Sequence, residues 1–566
     1  MTDIALSLVA HTNVGKTTLA RTLLGRDVGA VRDAPHVTEF ADRHLLLASA
    51  EGDRLWLWDT PGFGDSVRLV RRMRQQGSPL GWLLSMLWDR WRDRAFWASQ
   101  QALKHVRDES DLLLYLVNAA EPEAAWLEPE LELLAWTGKP VLVLLNQLGA
   151  PRPAAEEAAE VEAWRAHVHG WSARWPTVRG VLPLDAFARC WVQEAALLDA
   201  VAAALPQPDR AAAFGRLRAA WQAAQQARFD AAMQALAGSL GRIAATRVAL
   251  DGGASVLGDP LRGLRALRAL AERLRGVDDE GPGASHRPET LARARLAERL
   301  QDEVRAGTAQ LIELHGLVDA EAASADRSAA AGARDAVLDD VLARVAGQVS
   351  AVERVSEGRA ALWGGAVTGA LAGLKADIAS GGLTLGGGLL AGGLIGALSA
   401  AGVARGLNVV RGSERSWAAW DEAALAPIVE AALLRYLAVA HFGRGRGGWQ
   451  PGEAPPHWAG VVRAALEPDR GAWTALWRTR GRGVVGSSAA AGASAAVDAA
   501  GAADAAEATA LAAGAKPLLA AAARRALAAL YPGVDGRADG RPDGRADLQP
   551  DARAGDRAGG AIAGSR

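Results

Sequence analysis

One stretch constrains this chain more than any other: Ala10-His11-Thr12-Asn13-Val14-Gly15-Lys16-Thr17-Thr18. The apolar run Ile4-Ala5-Leu6-Ser7-Leu8-Val9 before it reads as a buried strand, and Leu19-Ala20-Arg21-Thr22-Leu23-Leu24 after it reads as a helix. A strand, a tight loop holding Gly-Lys-Thr and then a helix supply the context that a phosphate-binding loop needs. In that arrangement loop N–H groups and the positive helix end hold phosphate. Lys16 reaches the β and γ phosphates, and the Thr17 hydroxyl ligates Mg²⁺. The loop departs from the motif at its first position, where Ala10 replaces glycine; alanine fits there if φ is negative.

The rest of the first 205 residues alternates strand-like and helix-like segments. Leu45–Ala48 and Leu55–Trp58 read as strands joined by a turn at Glu51-Gly52-Asp53. Leu112–Val117 and Pro140–Leu145 are further apolar runs, as expected of parallel strands buried on both faces. The pattern predicts an α/β, doubly wound, mostly parallel sheet. A second signal closes the strand carrying Trp58: Asp59-Thr60-Pro61-Gly62. An aspartate ending a strand beside a phosphate loop is where Mg²⁺ is held, and Gly62 can offer an N–H to the γ phosphate.

These residues resemble the first and third motifs of Era-like bacterial P-loop GTPases, whose loop reads Gly-x-x-Asn-x-Gly-Lys-Ser/Thr. The resemblance covers residues 1 to about 200 and implies GTP and GDP as ligands with Mg²⁺ held by Thr17, Thr38 and Asp59. Thr38 falls where the family carries its switch threonine. Asn13, Val14, Gly15, Lys16, Thr17, Thr18, Asp59 and Gly62 would line the phosphate and metal site. Asn146 and Gln147 stand where the family reads guanine. Lys16, Asn13 and Thr38 are the residues the resemblance would give a catalytic role. In that family the loop asparagine can also help bind K⁺ in place of an arginine finger.

Two departures stand out. The family reads guanine with Asn-Lys-x-Asp, whereas this strand ends Asn146-Gln147-Leu148-Gly149. Loss of the bidentate carboxylate removes discrimination of about 1–3 kcal/mol. Asp185, in Val181-Leu182-Pro183-Leu184-Asp185-Ala186-Phe187, is one substitute acceptor. Phe63 follows Asp-Thr-Pro-Gly where some GTPases have a water-orienting glutamine, so slow turnover without an activator is expected.

Beyond the first domain the pattern becomes helical. Within the first domain, the Trp82–Trp97 segment is an amphipathic stripe that either packs on its own core or contacts a partner or the membrane interface. Helices are expected through Phe214–Leu240, Leu261–Leu274, Leu291–Val318 and Ala329–Val352, and His286 and His315 read as isolated structural histidines. Ile378–Ala404 is uncharged and glycine-rich, and Arg405, Arg411 and Arg415 follow it. A run of about 20 uncharged residues can span a bilayer, and glycines allow close helix packing there. A buried glycine-rich pair in a water-soluble fold is the other reading. Pro517 is expected to start a short helix ending near Leu530, and the Gly-Arg-Ala-Asp repeats after Pro532 to be disordered. The expected organisation is therefore a GTPase-like domain at 1–205 and a helical domain at 206–359. A glycine-rich apolar hairpin at 360–408, a helical region at 409–531 and a tail at 532–566 follow. The whole resembles a bacterial family joining an Era-like domain to a helical domain of unknown function. The Asn-Gln-x-Gly motif and the Leu182–Trp191 stretch share in that likeness.

The chain of 566 residues has 63 basic and 64 acidic residues, so no strong nucleic-acid signal is read from its charge. Its single cysteine, Cys190, fits a reducing cytoplasm, and no secretory signal opens the sequence. The expected partners are a guanine nucleotide, a protein effector and the cytoplasmic face of the inner membrane, reached through residues 360–404. The same residues also allow a nucleotide-binding scaffold with little hydrolysis, or a soluble ribosome- or RNA-linked GTPase.

Overall fold

The computed structural model describes residues 1–25, 42–63, 66–76, 94–149, 151–186, 190–249, 288–317, 335–342, 345, 407–411, 416–441, 455–480 and 493–532. The first of its sheets has six strands, interleaved with helices. In chain order these elements are β1 (Asp3–Ala10), α1 (Lys16–Leu24), β2 (Asp42–Ala48), β3 (Arg54–Asp59), α2 (Ser66–Gln76), α3 (Arg94–Glu109) and β4 (Leu112–Asn118). They continue with α4 (Leu127–Trp136), β5 (Val141–Asn146), α5 (Ala154–Arg174), β6 (Val178–Pro183) and α6 (Trp191–Ala204). The strand order is β2-β3-β1-β4-β5-β6. All neighbours run parallel except β2, which lies antiparallel on β3 at the edge.

The apolar runs explain this sheet directly. Residues Leu112–Val117 and Val141–Asn146 are buried along their whole length, because successive side chains enter opposite layers. One layer joins Leu6, Leu8, Leu114 and Leu116 to α1 and α6. The other joins Val9, Leu113, Tyr115 and Val117 to α3, α4 and α5. Val181, Leu182 and Pro183, which precede Asp185, lie in strand β6, which registers against β5 from Val141 to Leu145.

The next helix, α7 (Pro208–Ala245), is a single element of 38 residues. Phe214, Leu217 and Trp221 in its first half close the sheet domain's core, and Arg216 pairs with Asp53 at 2.7 Å. Met233, Leu236 and Leu240 in its second half belong to a separate helical core. That core also takes residues from α8 (Pro288–Leu314), α9 (Glu422–Ala440), α10 (Trp458–Leu466), α11 (Arg470–Trp477) and α12 (Ala493–Leu530).

Two features differ from the sequence reading. A three-stranded antiparallel sheet, ordered β7 (Arg247–Ala249), β9 (Ser416–Trp420) and β8 (Leu407–Arg411), crosses a region read as helical. Strands this short carry too few residues for a period of two to emerge, and β7 pairs with a strand far away in sequence. Arg411, read as a membrane-flanking residue, lies in β8. Pro517 does not start a helix but sits inside α12. The alanine-rich residues before it have high helix propensity, and Ala515 and Leu519 on either side are buried against the helical core. Tertiary packing thus offsets the proline's missing N–H and its steric clash.

Among the described residues one helix, α9, is long and apolar enough to cross a membrane. It lies largely inside the helical core and carries the buried Arg435, whose Nη1 donates to the Val304 carbonyl at 2.9 Å and Thr308 Oγ1 at 3.0 Å. Burial pulls that guanidinium down to about 10. His315 is half-buried, with Nδ1 2.9 Å from the Leu311 carbonyl, and desolvation pulls it down to about 4; this is a structural setting. Residues 360–404, Leu261–Leu274, His286 and the repeats from 533 lie outside the described residues. So do residues 82–93 of the tryptophan stripe.

Helices α7 and α12 cross with their backbones close together at Gly241. A Cβ there would fall on the Ala508 carbonyl oxygen and stand 3.0 Å from Ala512 N. Gly241→Ala is therefore expected to destabilise the protein by about 1–3 kcal/mol in urea or thermal unfolding, despite alanine's better helix propensity. Unchanged or raised stability would show that the two helices separate freely at this crossing.

Candidate functional site

The candidate site lies at the carboxyl ends of β1, β3 and β5, where open α/β sheets bind ligands. Parallel pairing of β1 with β3 sets Leu8 opposite Asp59, so the loop after β1 meets the turn after β3. Phe63 N–H donates to the Ala10 carbonyl at 3.0 Å, and the Thr60 hydroxyl donates to the Leu8 carbonyl at 2.6 Å. Ala10 ends β1 fully buried and has no positive φ, so the missing glycine leaves the backbone unstrained.

The loop turns through two left-handed residues, Asn13 at φ 67° and Gly15 at φ 100°. Asn13 is exposed, Val14 is buried among the sheet residues, and Gly15 caps α1. Gly15 also permits a close approach: a Cβ there would stand 2.7 Å from Asn146 Nδ2. Gly62 is equally confined, since its Cβ would lie 2.9 Å from Lys16 Nζ and 3.1 Å from Thr12 Cα. Lys16 and Thr18 are buried at the start of α1, whose first turn holds no acidic residue. A helix N-terminus left positive in this way suits an anion.

Three charges meet beneath the loop. Burial pulls the Lys16 ammonium below its ordinary value, while the carboxylates of Asp59 and Glu130 pull it back up. Lys16 Nζ donates to the His11 carbonyl at 3.4 Å. Thr17 Oγ1 donates to Asp59 Oδ2 at 2.5 Å, and the other oxygen, Oδ1, is buried with no hydrogen-bond partner. Burial raises the Asp59 carboxyl above its usual range, opposed by the Thr17 hydrogen bond and the Lys16 charge. A half-buried hydroxyl on a buried carboxylate with a spare oxygen is an oxygen donor set that fits Mg²⁺.

Asn146 joins three loops. Its Nδ2 donates to the Val14 carbonyl at 2.8 Å, and its Oδ1 accepts from Ala186 N–H at 3.0 Å. Gln147 is exposed at φ 59°, and Gly149 adopts φ 83° with open space where a side chain would project. Asp185 is buried and accepts from Leu148 N–H at 2.8 Å, so it holds the 146–149 loop. Thr38 lies outside the described residues.

Three residues that carried no sequence signal join the site: His11, Glu130 and Tyr115. Glu130 lies fully buried on α4, with Oε1 2.7 Å from His11 Nδ1 and Oε2 accepting from the Tyr115 hydroxyl at 2.9 Å. Burial raises its carboxyl, opposed first by the His11 hydrogen bond. One clue was present: Glu130 takes a core-facing place in the stripe Leu127, Leu131, Leu134.

Residues 5–147 match the family model described as a 50S ribosome-binding GTPase. Curated relatives include GTPase Der of Myxococcus xanthus, 31% identical over 145 residues that span 25% of this chain and 26% of Der. GTPase Der of Mycolicibacterium vanbaalenii is 28% identical over 210 residues, 37% of this chain and 36% of that protein. This chain thus spans 26% and 36% of the lengths of those two relatives. Among solved structures, Era in complex with MgGDPNP and nucleotides 1506–1542 of 16S ribosomal RNA aligns at a TM-score of 0.25 and 19% identity, over 33% of this chain and 51% of that chain.

These findings correct the expected partners. The expectation was a protein effector and the inner membrane, the latter from residues 360–404, with no strong nucleic-acid signal in a near-neutral chain. The matched family is instead described by binding to the 50S ribosome. Net charge summed over 566 residues averages away any local basic surface, so it could not report on such a partner.

Gly15→Ala is expected to weaken nucleoside triphosphate binding by about tenfold or more. The substitution combines a left-handed backbone with a clash on Asn146, and tenfold corresponds to roughly 1.4 kcal/mol. Titration with a fluorescent analogue checks this, and an unchanged Kd would mean that the loop relaxes without loss.

Proposed function

We propose that residues 5–147 form a P-loop GTPase domain, and that the chain binds GTP with Mg²⁺, hydrolyses it to GDP and phosphate, and uses the two states as a switch. One observation carries the reading: Asp59 keeps a buried oxygen without a partner beside the Thr17 hydroxyl and the buried Lys16. Lys16 and the loop N–H groups hold the phosphates, while Thr17 and Asp59 hold the metal, joined by Thr38 from the switch segment. The bound ion supplies charge neutralisation at the phosphate oxygens.

Water orientation falls to groups other than Phe63, which is buried against the second layer of the core. With Phe63 in place of a glutamine, and no arginine finger identified among the described residues, turnover on the order of 10⁻⁴–10⁻³ s⁻¹ is expected, as for an unassisted GTPase. Exposed Asn13 sits at the loop mouth, where its amide can help hold K⁺. Asn146 secures the base-side loop, and with Gly149 in place of aspartate the preference for guanine is modest. The cytoplasm is the compartment in which this reading operates.

Single-turnover hydrolysis of GTP and of ATP by the full chain tests the proposal. GTP hydrolysis should require Mg²⁺, run faster in KCl than in NaCl, and vanish in Lys16→Ala. Equal and negligible hydrolysis by wild type and Lys16→Ala would leave a nucleotide-binding scaffold instead.

We also propose that the ribosome or its RNA is the partner of the triphosphate state, supported by the description of the matched family. Co-sedimentation with ribosomal particles is expected to recover the chain in the pellet with a non-hydrolysable GTP analogue and to release it with GDP. Recovery in the supernatant in both states would remove the ribosome from this reading.

A further inference from the structure

Resting on the nucleotide-binding reading above, we propose that Glu130 is a positioning residue for the phosphate loop and acts through His11. Helix α4 turns Leu127, Leu131 and Leu134 towards the sheet, and Glu130 occupies the same stripe, fully buried. A carboxylate in such a place is tolerated only when its oxygens are engaged. Both are: one by His11 Nδ1 at 2.7 Å, the other by the Tyr115 hydroxyl at 2.9 Å. Tyr115 is fixed in β4, in register with Val9 of β1, so the carboxylate is held from the sheet and directed at the loop.

His11 is thereby gripped on two sides. Glu130 holds the ring edge, and Trp126 stacks on its face with centroids 4.7 Å apart and planes 10° from parallel. The main chain of the same residue belongs to the working part of the loop. Its carbonyl receives Lys16 Nζ, and it bridges to Phe63 just beyond the Asp-Thr-Pro-Gly turn. Fixing the ring therefore fixes the peptide against which Lys16 and the turn are seated. A loop held in one shape before binding loses less conformational freedom when ligand arrives, and so binds more tightly. The general phosphate-loop motif demands neither a histidine at this position nor a carboxylate on α4. Favourable placement in the first turn of α4 would explain a solvated glutamate, but not a buried one joined to the loop.

The test is a double-mutant cycle on the full chain, read as the Kd of a fluorescent GDP analogue, with thermal unfolding measured in parallel. His11→Ala and Glu130→Ala are each expected to raise Kd by about tenfold, and the double variant by no more than the worse single, since both remove one contact. Glu130→Gln keeps an oxygen for Tyr115 and an amide for His11, so it should stay within about threefold of wild type. If Glu130→Ala does not fold, His11→Ala and Glu130→Gln alone decide the matter. Additive losses, an unchanged Kd in the alanine variants, or equal damage from glutamine and alanine would each overturn the positioning role. A wild-type chain that binds no nucleotide would instead overturn the reading beneath it.

Discussion

The parallel pairing of β1 with β3 is the constraint on which the site depends. Its register puts the loop after one strand against the turn after the other, and everything chemical follows from that adjacency. Thr17 reaches Asp59 only because the two chain segments leave the sheet side by side. Gly62 must be small because it is wedged between Lys16 Nζ and Thr12. Asn146 then ties the same loop to the far side of the sheet through Val14 and Ala186. Backbone hydrogen bonds between buried strands are exchanged for few alternatives, so they give these loops a rigid base.

The electrostatics of the site centre on one buried lysine and two buried carboxyls. Lys16 is a buried ammonium whose desolvation is opposed by two carboxylates, one from β3 and one from α4. Each carboxylate is itself raised by burial and steadied by hydrogen bonds. Such a group of charges is stable only as a set: removing one partner leaves another charge buried and uncompensated. The two carboxylates thus oppose the loss of charge that burial imposes on the lysine.

Much of the sheet domain could be read from the sequence because its information is local. Ile4–Val9, Leu112–Val117 and Val141–Asn146 are unbroken apolar runs, and the loop and the Asp-Thr-Pro-Gly turn are contiguous motifs. Contacts made across the fold were not legible. Glu130 drew no reading of its own, since nothing near it in sequence announces His11 and Tyr115 as partners. Asp185 was read as a spare acceptor for a base, whereas it holds Leu148 N–H. The small antiparallel sheet was hidden because Arg247–Ala249 finds its partner strand only at Ser416–Trp420. Pro517 misled in the opposite way: a strong local signal was overridden by the packing of the helix around it.

Helix α7 has a mechanical meaning of its own. It is unbroken from Pro208 to Ala245, which makes it a rod roughly 57 Å long. One end is bolted to the sheet by Phe214, Leu217 and the Arg216–Asp53 pair, and the other is embedded among Leu236, Leu240 and Ile243 of the second core. A stiff rod converts angle into distance: a tilt of about 5° at the first end sweeps the other through about 5 Å. Arg216 grips Asp53, one residue before β3, and β3 ends at Asp59. The lever's fulcrum is therefore attached to the strand that ends in the buried Asp59 carboxylate.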